Sequence, residues 1–341
     1  MSTLFNNTLI FGLGLIGGSF SKSLKDNNLS KNIFAADIDE ENIDMAIEDK
    51  VIVGKITDIK ENIDLIIIAT PLKAYKDCFD TILNLTLADN VLIIDLGSLK
   101  GFVLDIVPNK LKDKFIGCHP IAGSQESGYK ASKNDLFNDK DFIICTNDFT
   151  IEDNFNKLTK LVEAIGSNKI LLDEDEHDEI FCLTSHLPQF LSFMTKELTP
   201  KNIDDEFFTN VFRLDHSNSV IWDDIFKLNE ENLEESYLDF FDNLENNIEA
   251  LDEDMLDINI EYQSADFDAN FLEDNFAAIF FRFIVVKSYL ETIPEECSNF
   301  TGSGYKDFTS ITAILSHSEI DELIAKNKNK ILKLFDKISL Q

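Results

Sequence analysis

The chain is short of positive charge. Its 341 residues carry 30 Lys plus Arg against 63 Asp plus Glu, a formal net charge of −33. Such a surface repels phosphate backbones and anionic lipid headgroups, which excludes nucleic acid and membrane surfaces as partners. Only two of the cations are arginines, Arg213 and Arg282, so planar bidentate recognition of a carboxylate has two candidates in the whole chain. Cysteine is equally sparse. Cys78, Cys118, Cys145, Cys182 and Cys297 form no CxxC pair and no regular spacing, which excludes a disulfide framework and a zinc site and leaves no expected metal. They read as small buried hydrophobes in a reducing compartment, the cytoplasm. There is no apolar run of about 18 residues to cross a bilayer. The N-terminus lacks a basic leader, and its first apolar run reads as a strand.

What is present is organised around Leu9–Phe20, LIFGLGLIGGSF. A short apolar run leads into Gly12-x-Gly14-x-x-Gly17 and then into a helical stretch, the strand, turn and helix start of a dinucleotide-binding βαβ unit. Gly12 allows the tight turn, and Gly14 lets the backbone approach a pyrophosphate. Gly17 lets helix and strand pack closely. The first turn, with Leu15 and Ile16 between the last two glycines, offers backbone N–H groups and a positive dipole end. Asp37, twenty residues after Gly17 and at the end of a second apolar run, is placed to accept from an adenosine ribose. A carboxylate there would repel a 2′-phosphate, so the cofactor expected is NAD.

Further apolar runs follow. Ile63–Thr70 ends at Pro71, which places Thr70 and Pro71 in a strand-end loop of the cofactor crevice. Val91–Leu96 runs into Gly97-Ser98, Phe115–Cys118 into His119-Pro120, and Phe142–Cys145 forms a sixth strand. Helical stretches alternate with these runs, which predicts an α/β Rossmann-type domain with a doubly wound parallel sheet over residues 1–173. Ligands of such sheets lie beyond the carboxyl ends of the strands, where the loops at Gly12, Pro71, Ser98 and His119 converge. His119 suits a general base taking a proton from a substrate hydroxyl. Ser98 could bond the same hydroxyl, orient the imidazole, or cap the helix after Leu99.

From about Asp173 the character changes to long acidic amphipathic stretches rich in Phe and Leu, over 175–198, 220–251 and 268–292. Pro188 kinks or starts a helix there. An all-helical C-terminal domain is predicted over 174–341. Its apolar faces look too extensive for one small bundle, so helix exchange or packing with a second subunit is the expected cover.

GLGLIGGSF, IDLGSLKG, CHPIAGSQESG with a downstream DLF, HDEIFCLTSHLPQ and FRLDHSNSVIWDDIF resemble, in that order, the motif series of the prephenate dehydrogenase family, across residues 8–226. The resemblance implies oxidative decarboxylation of prephenate, or of its amino analogue arogenate, in tyrosine synthesis by a homodimer with its active site at the domain junction. It implies His119 as base, assisted by Ser98. Arg213 would bind substrate carboxylate, His186 would reach the far end of the substrate, and Trp222 would wall the pocket. His177, nine residues before His186, is expected to support its helix on the opposite face. Three departures stand out. Gln125 replaces a usual glutamate at the pocket mouth. The glycine-rich loop with a basic-Asp pair is missing before Arg213, where the chain reads Glu206-Phe-Phe-Thr-Asn210. Asp215 replaces a small residue and is a candidate reader of the arogenate amino group. The missing loop recurs at Gly302–Ile311 with Ser310 where the arginine belongs. Residues 268–311 can therefore be a diverged repeat of 178–214, whose loop serves one site with Arg213. The rival outside the enzymes is a silent NAD-binding regulatory protein.

Overall fold

The computed structural model describes residues 3–123, 126–204, 206–253, 255–256, 269–314 and 320–338. Two compact units divide the chain at Asp178 and Glu179.

The first unit holds one eight-stranded sheet in the order β3-β2-β1-β4-β5-β6-β7-β8. The strands are β1 Phe5–Phe11, β2 Ser30–Ala36, β3 Gly54–Lys55, β4 Ile63–Ile68, β5 Leu87–Asp95, β6 Phe115–Pro120, β7 Asp141–Cys145 and β8 Asn168–Leu171. Crossover helices α1 Leu15–Asp26, α2 Glu40–Glu48, α3 Tyr75–Ile82, α4 Gly101–Ile106 and α5 Glu152–Ala164 cover it. Strands β1 and β4 are buried almost throughout, as expected where helices lie on both faces of a parallel sheet. The sheet is not wholly parallel. β7 pairs antiparallel with β6, in register from Gly117↔Cys145 to Pro120↔Phe142. The reason is the connection: a loop with a short turn at Tyr129–Ala131 returns the chain beside β6 without a crossover helix, whereas α5 carries it from β7 to a parallel β8. β3 and β8, two and four residues long, are too short to register as apolar runs.

The β1 and β4 strands neighbour each other although β2 and β3 intervene in sequence, so the switch point of the sheet lies between their carboxyl ends. Gly12 sits there with φ +87°, and a Cβ on it would stand 2.6 Å from the Ala69 carbonyl oxygen. A Cβ on Gly17 would stand 1.9 Å from the Gly12 carbonyl oxygen, so the crossing of α1 over the turn admits only glycine.

Beneath the carboxyl ends of β5 and β6 lies a buried ion pair. Lys100 Nζ reaches Asp95 Oδ2, both side chains fully inaccessible, and also donates to the Cys118 carbonyl at 2.6 Å. Asp95 accepts from the backbone N–H of Cys118 and of Gly97, each at 3.0 Å, and from the Tyr75 hydroxyl at 3.2 Å. Burial, and then the Asp95 charge, pushes the Tyr75 phenol well above its ordinary value, so it stays a donor. The pair thus ties the last residues of β6 to the loop after β5.

The second unit is helical: α6 Glu174–Phe181 enters it, followed by α7 Leu187–Thr195, α8 Glu206–Val211, α9 Ser219–Leu228, α10 Glu230–Asp252, α11 Ala269–Thr292, α12 Ser303–Thr309 and α13 Ile320–Ile338. The stretch expected as one helix over 175–198 is interrupted by a π turn at Cys182–His186, and Pro188 lies at the start of α7, where a missing N–H costs nothing. The central element is α11. Phe276, Ile279, Phe280, Phe281, Phe283, Ile284, Val285, Val286 and Tyr289 are all buried, on every side of the helix. Helices α10 and α13 of the same chain pack on it. The cover expected from a second subunit is here supplied, for α11, from within the unit.

No helix of the described residues is long and apolar enough to cross a membrane. All five cysteines are buried and none is in a disulfide; burial pushes the Cys145 thiol up to about 12.

Substituting Lys100→Met leaves the Asp95 carboxylate buried without its cation. Urea denaturation should show a loss of about 3–5 kcal/mol. A loss under about 1 kcal/mol would mean that Asp95 is held by its neutral donors alone.

Candidate active site

In the first unit the glycine turn and Thr70 follow the carboxyl ends of β1 and β4, and His119 is the last residue but one of β6. Gly14 is the N-cap of α1 and makes no side-chain cap bond; the space where its Cβ would be is open. Gly14, Leu15 and Ile16 are half-exposed while the residues on either side are buried. An uncapped helix start, open on one side and closed to side chains at Gly12 and Gly17, fits a pyrophosphate. Asp37 lies beside this turn. Its Oδ2 accepts from the Leu13 N–H at 2.5 Å and its Oδ1 from the Asp39 N–H at 2.7 Å. It therefore fixes the glycine turn to the end of β2 and holds a half-exposed carboxylate there. Thr70 is half-exposed, its hydroxyl 3.8 Å from Cys78 Sγ, and Pro71 is exposed. Gly12, Gly14–Gly17, Asp37, Thr70 and Pro71 thus all lie beyond the carboxyl ends of β1, β2 and β4.

His119 is the fifth residue of β6, half-buried. Its Nδ1 lies 2.9 Å from Nε2 of His177, and Nδ1 of His177 lies 2.7 Å from Asp178 Oδ1. Asp178 is itself anchored: Oδ1 accepts from the Lys100 N–H at 2.8 Å and Oδ2 from the Gly101 N–H at 2.9 Å, at the start of α4. With Asp178 ionised and both imidazoles neutral, this order of donors and acceptors sets the tautomers. An ionised carboxylate only accepts, so His177 carries its proton on Nδ1 and offers a lone pair at Nε2. His119 then donates from Nδ1 and carries its own lone pair on Nε2, the state of a general base.

Two expectations are corrected here. His177 does not merely support a helix on the face opposite His186; it is inaccessible to solvent and joins His119 to Asp178. Ser98 does not orient His119 or cap the next helix. It lies half-buried in the loop after β5 and makes no hydrogen bond to His119 among the described residues; Asp178 caps α4 instead. The signal for this relay was the adjacent His177-Asp178 pair, whose link to the strand end 58 residues earlier is purely tertiary. Gln125 lies outside the described residues.

In the second unit the π turn ends at His186, which is buried; the Asn229 side-chain amide lies 3.1 Å from its Nδ1. Trp222 stands edge-on to the same imidazole, ring centres 6.3 Å apart. Arg213 opens a 3₁₀ turn, Arg213–His216, and is ion-paired through Nε and Nη2 with Asp307 of α12. Asp215, two residues on, is fully buried against Arg282 of α11 and accepts from the Thr199 hydroxyl. It is therefore no pocket carboxylate, and its expected role as reader of a substrate amino group is withdrawn. Arg282 also donates to Ser192 and Thr195 and lies between the Phe212 and Phe308 rings, 5.6 and 5.1 Å from their centres.

Comparison with known proteins agrees with this division. Residues 20–171 match the family model for the prephenate dehydrogenase nucleotide-binding domain, and residues 173–262 that for the prephenate dehydrogenase dimerization domain. A prephenate dehydrogenase of Bacillus subtilis is 29% identical over 71% of this chain and 68% of its own length. One from Lactococcus lactis is 29% identical over 65% of each. The crystal structure of prephenate dehydrogenase from A. aeolicus, in complex with hydroxyphenyl propionate and NAD+, superposes with a TM-score of 0.67 at 27% identity, covering 74% of this chain and 93% of that one. With a nucleotide-binding and a dimerization model of one family matched in succession, the chain belongs to the prephenate dehydrogenase family.

Proposed function

We propose that this protein catalyses the NAD-dependent oxidative decarboxylation of prephenate to 4-hydroxyphenylpyruvate, a step of tyrosine biosynthesis, in the cytoplasm. The observation that carries the reading is the His119–His177–Asp178 chain, which leaves His119 a base at the end of β6 in a unit that also holds the dinucleotide turn.

Bound NAD supplies the hydride acceptor. His119 Nε2 takes the ring-hydroxyl proton as hydride leaves the same carbon. The positive charge that develops on His119 is stabilised through His177 by the Asp178 carboxylate, itself held by two backbone N–H groups. Loss of CO2 then gives an aromatic ring, which makes the step irreversible. Arg213 takes substrate carboxylate, because a guanidinium matches it in two hydrogen bonds and the second arginine is buried against Asp215. His186 reaches the remote end of the substrate and Trp222 walls it. Ser98 contacts the substrate hydroxyl. The five buried thiols, none in a disulfide, suit the cytoplasm. Arogenate differs at the side-chain amino group, and with Asp215 buried against Arg282 the residue that favoured it no longer does.

Purified protein given NAD and prephenate should form NADH, and His119→Asn should abolish turnover without abolishing NAD binding. NAD binding with no turnover of prephenate or arogenate would instead favour a silent regulatory protein.

Asp178→Asn keeps the shape of the relay but can present an amide N–H to His177, favouring the wrong tautomer. It should lower kcat by roughly 100-fold or more, with the KM for NAD little changed. An unchanged kcat would remove His177 and Asp178 from the mechanism.

Replacing Asp37 with Ser removes the charge that repels a 2′-phosphate. The ratio of kcat/KM for NADP over NAD should rise at least about tenfold. No change in that ratio would show that another group sets the preference.

A further inference from the structure

The helical unit repeats itself. Helix α8 begins at Glu206 and its 3₁₀ turn at Arg213; α12 begins at Ser303 and the 3₁₀ turn Ser310–Ile314 follows it. Both starts are displaced by the same 97 positions. In each copy a helical segment precedes this pair and a long amphipathic helix follows it: α7 and α10 in the first, α11 and α13 in the second. Upstream, a displacement of 90 sets Phe181, Phe190 and Phe193 on Phe271, Phe280 and Phe283.

The two copies pack reciprocally. α12 lies on the 3₁₀ turn of the first copy, and α8 lies on the 3₁₀ turn of the second. Such i-on-j, j-on-i contact is the mark of an isologous two-fold interface. The 90-residue displacement sets Ser192 opposite Arg282, and these two touch, as residues near a two-fold axis do. A single apolar core runs through both copies, from Leu187 and Phe208 to Ile284, Phe308 and Ile331. Each of the chain's arginines pairs with a carboxylate of the other copy: Arg213 with Asp307, Arg282 with Asp215. The symmetry has been kept where it serves one site only. The position matching Arg213 is Ser310 and the position matching Asp307 is Asn210, so the second ion pair is gone. One nucleotide-binding unit per chain needs one arginine. The family's dimerization-domain match ends at residue 262, before the second copy begins. Among the described residues, the second copy exposes no large apolar side chain strongly, whereas the first exposes Val220, Ile221 and Leu238 on α9 and α10.

We infer that residues 269–338 are a second copy of the helical domain that takes, within one chain, the place of a dimerisation partner, and that it supplies Asp307 in cis to position Arg213. The protein is then a monomer with one site, in place of the homodimer its family resemblance suggests. Asp307 takes the Nε and Nη2 edge of the guanidinium and so sets the direction of the Nη1 corner toward a ligand. The substrate role of Arg213 rests on the function proposed above; the internal dimer does not.

Sedimentation equilibrium of the full chain from about 0.1 to about 100 µM should return the mass of one chain, 38.7 kDa, throughout. A stable mass twice that in this range overturns the proposal. Thermal melts of Arg213→Gln, Asp307→Asn and the double variant test the pair without any substrate. Each single change should lower Tm by about 2–4 °C and the double change by no more than either; additive losses would mean the residues are not coupled. If prephenate is turned over, Asp307→Asn should raise its KM about tenfold with kcat nearly unchanged, and Asp307→Glu should recover most of it. An unchanged KM removes the positioning role. A monomer with coupled melts and no turnover would leave the internal dimer standing while the substrate reading falls.

Discussion

The Asp178 carboxylate is the group on which the arrangement around His119 in the first unit depends. It satisfies two N–H groups at the start of α4 and fixes the proton of His177 in one act. A side chain that only caps a helix could be exchanged for Asn or Ser at small cost. A side chain that only orients a histidine could move with it. Because Asp178 does both, the tautomer of His177, and through it the lone pair of His119, is tied to the backbone of α4. The Lys100–Asp95 pair beneath adds the second constraint: it holds the backbone of Cys118, one residue before His119, from both its N–H and its carbonyl. His119 is therefore placed through backbone on one side and through its hydrogen-bond partner on the other.

The parts of this arrangement that depend on neighbouring residues were legible in the sequence. A glycine turn, an apolar strand and a carboxylate at fixed spacing are local, and the structure bonds Asp37 to the Leu13 N–H of that turn. The strand-end position of His119 follows from the four apolar residues before it. What failed was tertiary. Ser98 was a reasonable cap by adjacency, yet a carboxylate 77 positions after Gly101 does the work. Asp215 looked like a polar replacement at a pocket wall, and only the arrival of Arg282 from α11 explains how a carboxylate is buried there. The antiparallel β7 was invisible because an apolar run carries no direction; the absence of a crossover helix between residues 120 and 141 was the sign.

The scarcity of arginine takes on meaning in the second unit. In a chain with 63 acids, lysines serve as general counter-charges, and pairs such as Lys55–Glu40, Lys130–Glu41 and Lys326–Glu273 are exposed and contribute little. Both arginines stand where a planar fork is needed. Arg282 satisfies Asp215, Ser192 and Thr195 at once while its faces lie against Phe212 and Phe308. A lysine has three donors but no plane to lie between two rings.

Burying α11 on all sides imposes a further constraint on evolution of the helical unit. A helix apolar all round has to be enclosed, either by another subunit or by more chain. Enclosure by more chain removes the entropy of association, and the two copies become free to diverge because each is tied to only one role. The neutral pair Asn210 and Ser310 is what such divergence leaves behind: Ser310 stands in the second copy where Arg213 stands in the first, while Asp307 of the second copy still faces Arg213. The retained asymmetry is thus set by the number of nucleotide-binding units, and the retained symmetry by the shared apolar core.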